Sequence, residues 1–348
     1  MASTRLTKLK STKKRKILFT ILIVSMLLVS CVIVFAIKLS LETKNAASKM
    51  FVPLPGDTED NGELNPRAEG SAFTILLAGI EHEEEEKYGR SDMLLVVTVN
   101  PKTQKISMVN IPRDTMVYIE ELGYEDKINH AYSIGGINYT INTLQKLLDI
   151  PFDYYVSTDF KGFEDIVNTV GGVDVDVPFT FKAQLTESLK WKTYTKGPMF
   201  LNGNEALAYV RMRKKDPEGD KGRNSRQKQV IQDVINKATS LSNITKIDDM
   251  IRDVGNNVKT NIPTSEYLGL IKMYQKIKSS PVEQLHLEGI DKKLYDKREK
   301  KDIWYFFPDN DSLNELKEIL KLNLDDSGQN AQNDINTNKD VNDLSKGK

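Results

Sequence analysis

Cysteine is nearly missing from this chain: among 348 residues only Cys31 carries a thiol, and it lies inside a hydrophobic run. The rest therefore has no disulfide and no thiolate metal site. Histidine is almost as scarce, and His82, His130 and His286 lack the spacing that brings two imidazoles to one metal. No serine stands in a nucleophile elbow and no P-loop is present, and Gly135-Gly136 is too short a glycine signal to replace one. An excess of one charge is missing as well, since 49 basic side chains balance 49 acidic ones. Seven of the basic ones fall in residues 1–16, so the remainder carries 42 against 49. That mildly acidic balance argues against a polyanion-binding surface such as a nucleic-acid face.

What the sequence does contain begins with Ile17 to Ile37, 21 residues without a charge. At ~1.5 Å per residue this helix length matches the ~30 Å of bilayer hydrocarbon. A cleavable signal peptide would carry an apolar stretch of only about 7–15 residues. Leu28-Val29-Ser30-Cys31 looks like a lipoprotein cleavage box, but six more apolar residues follow the cysteine. The expectation is an uncleaved anchor, with its basic flank in the cytoplasm and everything after Lys38 outside the cell. Residues 1–16 would then be the cytoplasmic tail, too short for a helical DNA-reading fold. Residues 17–37 form the transmembrane helix, 38–70 a Pro- and Gly-containing extracellular linker, 71–323 the folded domain, and 324–348 a polar, disordered tail.

Within the domain, Phe73–Gly79, Met93–Val99 and Lys105–Ile111 are aliphatic strands, the last two joined by the turn Asn100-Pro101-Lys102-Thr103. Ile137, Ile141, Leu144 and Leu148 repeat at helical spacing. A strand at Tyr154–Thr158 precedes a short helix around Phe163, Ile166 and Val167. Strict alternation in Val173–Pro178 predicts a strand with one wet face. Ser225 is the expected cap of a helix carrying Val230, Ile231, Val234, Ile235 and Ala238. Further elements fall near Tyr267–Ile277 and Leu313–Leu320. Strands interleaved with helices predict a layered α/β/α domain around a central mixed sheet, with antiparallel hairpins at the short connections.

Arginine usage points to chemistry. There are 38 lysines but only 11 arginines, and Arg211, Arg213, Arg223 and Arg226 lie within 16 residues. A general need for positive charge is met here by lysine. Clustered arginine signals a need for the planar fork that grips phosphate oxygens two at a time. Arg211 and Arg213, two apart, would share one side of an extended segment. Arg223 and Arg226 would flank a helix N-terminus, itself suited to an anion. Arg90 and Arg113 stand beside aspartates at strand ends, and Arg113 makes a third side of such a pocket. Glu81 and Asp92 would meet at one end of the first hairpin, as two hard oxygen ligands for Mg²⁺ or Mn²⁺ beside a diphosphate.

These same stretches resemble the LytR-CpsA-Psr family of bacterial cell-wall proteins. The matching residues are Gly89-Arg90-Ser91-Asp92, Asn100-Pro101-Lys102-Thr103, Ile111-Pro112-Arg113-Asp114-Thr115, Lys127 to Tyr132, Gly171 to Val175, Tyr209-Val210-Arg211-Met212-Arg213 and Gly219 to Gln227. The resemblance implies a membrane-anchored extracellular phosphotransferase of a Gram-positive wall. It would move a glycopolymer, of teichoic-acid or capsule type, from an undecaprenyl-diphosphate carrier to peptidoglycan and release undecaprenyl phosphate. By position it assigns the diphosphate to Arg90, Arg113, Arg211, Arg213, Arg223, Arg226 and Gln227. It assigns the divalent metal to Asp92, and implies an apolar groove for the lipid. The family usually has aspartate where this chain has Glu81, which keeps the charge but reaches one methylene further. A hydrolase of the same lipid diphosphate is the alternative, with water in place of the acceptor hydroxyl.

Overall fold

The computed structural model describes residues 45–46, 48–55, 57, 70–81, 88–186, 188–213, 216–240, 247–296 and 300–325. The expected basic tail, transmembrane helix, most of the linker, the acidic loop 82–87 and the polar tail after Asp325 lie outside these residues. Among the described residues no helix is long and apolar enough to cross a membrane.

Three strands open the domain: β1 (Phe73–Glu81), β2 (Arg90–Asn100) and β3 (Lys105–Ile111). They pair in sequence as antiparallel hairpins, as their short connections require. The β2–β3 turn is held by Asn100, whose Oδ1 accepts from the Lys102 and Thr103 amides at 3.1 Å each. The Asn100 amide also donates to the Asn323 carbonyl at 3.0 Å, fastening the turn to the last helix. Two short antiparallel strands, β4 (Met116–Ile119) and β5 (Tyr124–Lys127), follow. They lead into α1 (Ile128–Leu148), which is broken at Gly136, φ +65°. A side chain there would be strained, and a Cβ would also press to 3.2 Å from the Tyr88 ring.

Next come β6 (Tyr154–Asp159) and α2 (Phe160–Thr169), the latter capped by the Asp159 carboxylate accepting from Gly162 N at 2.7 Å. The chain continues through β7 (Val173–Val177), β8 (Phe181–Gln184), β9 (Trp191–Tyr194) and β10 (Gly197–Leu201) to α3 (Gly203–Arg211). It then forms α4 (Asp220–Ala238), α5 (Ile247–Val254), β11 (Val258–Thr260) and α6 (Tyr267–Ile277). Strand β12 (Val282–Leu285), the hairpin β13 (Gly289–Asp296) and β14 (Lys301–Pro308), and α7 (Asn310–Leu324) complete it. The central sheet has the order β11-β6-β1-β2-β3-β12. Parallel pairs β1–β6 and β3–β12 stand beside the antiparallel ones, so the sheet is mixed, as expected.

Both faces of this sheet are covered, which explains why its central strands read as near-continuous aliphatic runs. On one face Leu76, Ala78, Ile80, Leu94 and Val96 pack against Ile141 and Leu144 of α1 and Leu316 and Leu320 of α7. On the other, Phe73, Leu95, Val97 and Met108 meet Ile277 and its neighbours on α6. The result is a layered α/β/α domain. A separate core joins Val167 of α2 and Val173, Val175 and Val177 of β7 to Ala206, Ala208 and Tyr209 of α3 and Val230 of α4. Val173, Val175 and Val177 are buried while Asp174 and Asp176 are exposed, the one-wet-face pattern expected for β7.

Two local expectations need correction. Helix α4 starts at Asp220, not at Ser225; its N-cap is Gly219 at φ +60°, which ordinary residues reach only with strain. Arg211 does not lie on an extended segment but ends α3, with the chain turning extended at Met212. In both cases helical structure extends further toward the arginine cluster than local capping signals indicate.

Candidate active site

The two carboxylates are brought together by an irregularity in the first hairpin. Gly79 pairs with Met93 and Ile80 with Ser91, so Asp92 is an extra residue on β2. A bulge of this kind re-aims a side chain that strict alternation would send to the opposite face. Asp92 and Met93 thus both line the cavity on the Leu77 and Gly79 side of the sheet, whereas Ser91 is fully buried. Glu81 pairs with Arg90 at the end of the same hairpin. Its carboxyl is held above the ordinary value, chiefly by hydrogen bonding to the Asp92 carboxyl, then by burial and Asp92's charge, while Arg211 and Arg113 pull it down. Two carboxylates this close repel one another as anions and together form a hard oxygen donor set, so the residues fit Mg²⁺ or Mn²⁺. Among the described residues no group of three or more potential ligands gathers.

Arg113 follows β3 on a tight turn, where Thr115 N and Oγ1 both bond the Pro112 carbonyl, at 3.0 and 2.6 Å. Its Nη1 donates to Asp92 Oδ1 at 2.9 Å, and its Nε lies 3.6 Å from Asp114. Asp114 in turn is paired with Lys127 at 2.7 Å. From the other side of the cleft, Arg211 at the end of α3 reaches to 3.6 Å from Glu81. Its guanidinium lies 4.2 Å from the centroid of the Phe160 ring, which holds the fork flat.

Arg213, Arg223 and Gln227 join Arg113 in lining two adjoining cavities. The larger, about 500 Å³, runs between β1, β6, α2, α3 and α4, with Leu77, Val156, Phe163, Leu207, Ile231 and Val234 among its walls. The smaller, about 250 Å³, is polar and bounded by Asn110, Lys221, Asn224 and Glu288. Arg90 is exposed at the hairpin end and lines neither cavity.

Arg226 is not part of this surface. Its side chain is wholly buried, with Nε donating to the Tyr209 carbonyl at 3.1 Å, Nη2 to the Met212 carbonyl and Nη1 to Asp216. The guanidinium also faces the rings of Phe181 and Tyr209, at 5.6 and 5.7 Å. The assignment of Arg226 to the diphosphate is therefore corrected: it clamps the end of α3, the segment that presents Arg211 and Arg213. Sequence reasoning missed Phe160 and Asp216, whose roles arise only in the fold, where Gly222 leaves room for the Asp216 carboxylate that a Cβ would meet at 2.2 Å.

Comparison with known proteins bears on this arrangement. A model of the LytR_cpsA_psr family matches residues 37–322. The chain is 45% identical over 258 residues to the polyisoprenyl-teichoic acid–peptidoglycan teichoic acid transferase TagV of Bacillus subtilis (strain 168), which is 73% of this chain and 65% of that protein's length. The crystal structure of B. subtilis TagV superimposes with a TM-score of 0.64 at 42% identity, covering 73% of this chain and 98% of that one. A structure of TagT bound to LIIa-WTA gives a TM-score of 0.62 at 33% identity, covering 78% and 99%.

Proposed function

The chain belongs to the LytR-CpsA-Psr family, and from that premise we propose that it is a membrane-anchored extracellular phosphotransferase. Its donor is a glycopolymer, of teichoic-acid or capsule type, on undecaprenyl diphosphate; its acceptor is peptidoglycan; its by-product is undecaprenyl phosphate. The observation that carries this reading is a cavity with apolar walls that ends on Arg113, Arg211, Arg213 and Arg223 with two carboxylates beside them. An apolar cleft that ends on forked cations suits an amphiphile whose head is a diphosphate. The names of the relatives point to the same substrate class.

The residues then divide the work. The aliphatic walls take the prenyl chain, and the arginines pair with diphosphate oxygens, where they neutralise charge that grows as the bridging bond breaks. The acceptor hydroxyl oxygen bonds to the phosphorus that bears the glycan, and the P–O bond to the lipid phosphate breaks. Glu81 and Asp92 are the candidate acceptors of the hydroxyl proton. They would also hold Mg²⁺ or Mn²⁺, which supplies further neutralisation of the diphosphate when bound. Arg226 contributes by keeping Arg211 and Arg213 in place. The uncharged run Ile17–Ile37 would keep the domain at the membrane surface, where the lipid carrier resides.

Incubation of the full-length chain in detergent with a synthetic lipid-diphosphate glycan and peptidoglycan tests the proposal. Polymer attached to peptidoglycan, with one polyprenyl phosphate released per transfer, is the expected result. Free phosphorylated polymer without attachment would refute transfer and mark a hydrolase.

A further inference from the structure

The β13–β14 hairpin carries a feature that this reaction leaves unused. Its register sets Asp291 opposite Phe306, Lys293 opposite Trp304 and Tyr295 opposite Asp302. Residues two apart on a strand share a face, so the three pairs make one stripe about 14 Å long, at ~3.4 Å per residue. The inner end, Asp291 and Phe306, lines the polar cavity beside Arg113 and Arg213. The outer end stands in solvent, with Trp304 54% and Tyr295 63% exposed. On the hairpin's other face Tyr305 is buried and donates to Asp296 at 2.9 Å, while Phe306 at the inner end of the stripe is half-buried against the main core. The stripe is also tied to the arginine loop, because the Phe306 amide donates to the Asp114 carbonyl at 2.8 Å.

Two exposed rings beyond a half-buried third, with charged groups beside them, suit a partner that has an apolar face and a polar rim. A pyranose ring is such a partner, since its C–H face stacks on aromatic rings while its hydroxyls bond to carboxylates and ammonium groups. Lys293 holds its ammonium 5.1 Å from the Trp304 ring centroid, which restrains the indole and adds a donor next to it. Along the molecule the order is apolar cavity, arginines, polar cavity, aromatic stripe. A lipid-diphosphate glycan has the same order of parts: chain, diphosphate, sugars. We infer that the polar cavity and the Phe306–Trp304–Tyr295 stripe bind the first sugar rings of the donor glycan. The hairpin, outside the diphosphate cleft, then selects which polymer is accepted. This rests on the lipid-diphosphate donor proposed above.

The chain has two tryptophans, Trp191 and Trp304, so Trp191→Phe leaves Trp304 as the single indole reporter. In that full-length background, two probes are compared: a short polyprenyl diphosphate, and the same lipid diphosphate bearing an N-acetylhexosamine disaccharide. The sugar-bearing probe should shift Trp304 emission, and the bare one should not. By calorimetry on the chain with both tryptophans, Trp304→Ala with Tyr295→Ala should weaken the sugar-bearing probe about tenfold and leave the bare one unchanged. Trp304→Tyr, which keeps a ring, should restore most of the affinity. Equal loss for both probes, no loss for either, or a change confined to the KM of a peptidoglycan fragment would overturn the inference. Failure of the unaltered chain to bind the bare diphosphate would instead refute the donor assignment, and this reading with it.

Discussion

Arg226→Lys separates a structural clamp from a substrate contact. The arginine serves two carbonyls and one carboxylate from three different nitrogens, and both it and Asp216 are essentially without exposure. A single lysine ammonium on a different stem cannot reproduce that fork, so about two buried acceptors lose their donor. At ~1–3 kcal/mol for each unsatisfied group, two of them cost about 2–6 kcal/mol. Arg226→Met also leaves Asp216 buried and unpaired, and breaking a buried ion pair from one side costs ~3–5 kcal/mol. Against a typical total of ~5–15 kcal/mol either change is large. Urea denaturation of the full chain in detergent, followed by far-ultraviolet circular dichroism, measures it. Arg213→Lys, at an exposed position, serves as control and should stay within ~0.5 kcal/mol. An Arg226→Lys protein with unchanged stability, but donor affinity as poor as that of Arg213→Lys, would refute the clamp and return Arg226 to the binding surface.

Lysine at 113 or 211 keeps the charge but loses the fork, so transfer measured with a lipid-diphosphate donor should fall at least tenfold, roughly 1.4 kcal/mol in the barrier; equal activity would show that any cation suffices. Asp92→Asn should abolish Mg²⁺ or Mn²⁺ binding in the presence of lipid diphosphate, Glu81→Asp should retain most of it and Glu81→Gln lose part; calorimetry showing unchanged affinity in Asp92→Asn would remove the metal from the site. Because the folded protein raises the Glu81 carboxyl, that group favours the fold below its unfolded value of ~4.3 and loses this contribution as pH climbs through the raised one. Glu81→Gln should therefore raise the melting temperature of the metal-free protein at neutral pH, and metal binding should weaken on acidification. Ile231→Trp, which fills the apolar cavity, should raise KM for long-chain donors more than for short-chain ones, and equal KM values would place the lipid elsewhere.

What the sequence discloses follows the range over which each signal acts. Strands β1 to β3 are legible because both their faces are buried, so each residue is aliphatic for its own reason. In β7, one wet face imposes alternation on five consecutive positions. The bulge at Asp92 is different: it exists in the pairing of two strands, and neither strand alone records it. Arg223 and Arg226 look alike in sequence, three apart on one helix. What separates them is Asp216 and the rings of Phe181 and Tyr209, contributed by other segments. Ser225 has the chemistry of a cap, but the start at Asp220 places Arg223 and Arg226 inside the helix, where Arg226 reaches the end of α3. The cavity walls come from five elements whose aliphatic residues look like ordinary core until their packing leaves a gap. Hairpin β13–β14 mixes charged residues with the aromatic run Trp304 to Phe307 at neither strand nor helix period, so its sequence alone does not mark it as a strand pair.

The cleft is built across a seam. Glu81, Asp92 and Arg113 ride on the central sheet, whereas Arg211 belongs to α3, part of the separate core around Tyr209 and Val230. Neither core alone holds opposing walls, and the residues that face each other are more than a hundred positions apart in the chain. Such long-range closures come late in folding. A chain in which only one core has condensed therefore presents half a site, with Glu81, Asp92 and Arg113 on one wall and no Arg211 opposite them. The site is complete only when the two cores dock, so the approach of Arg211 to Glu81 marks the end of folding rather than its beginning.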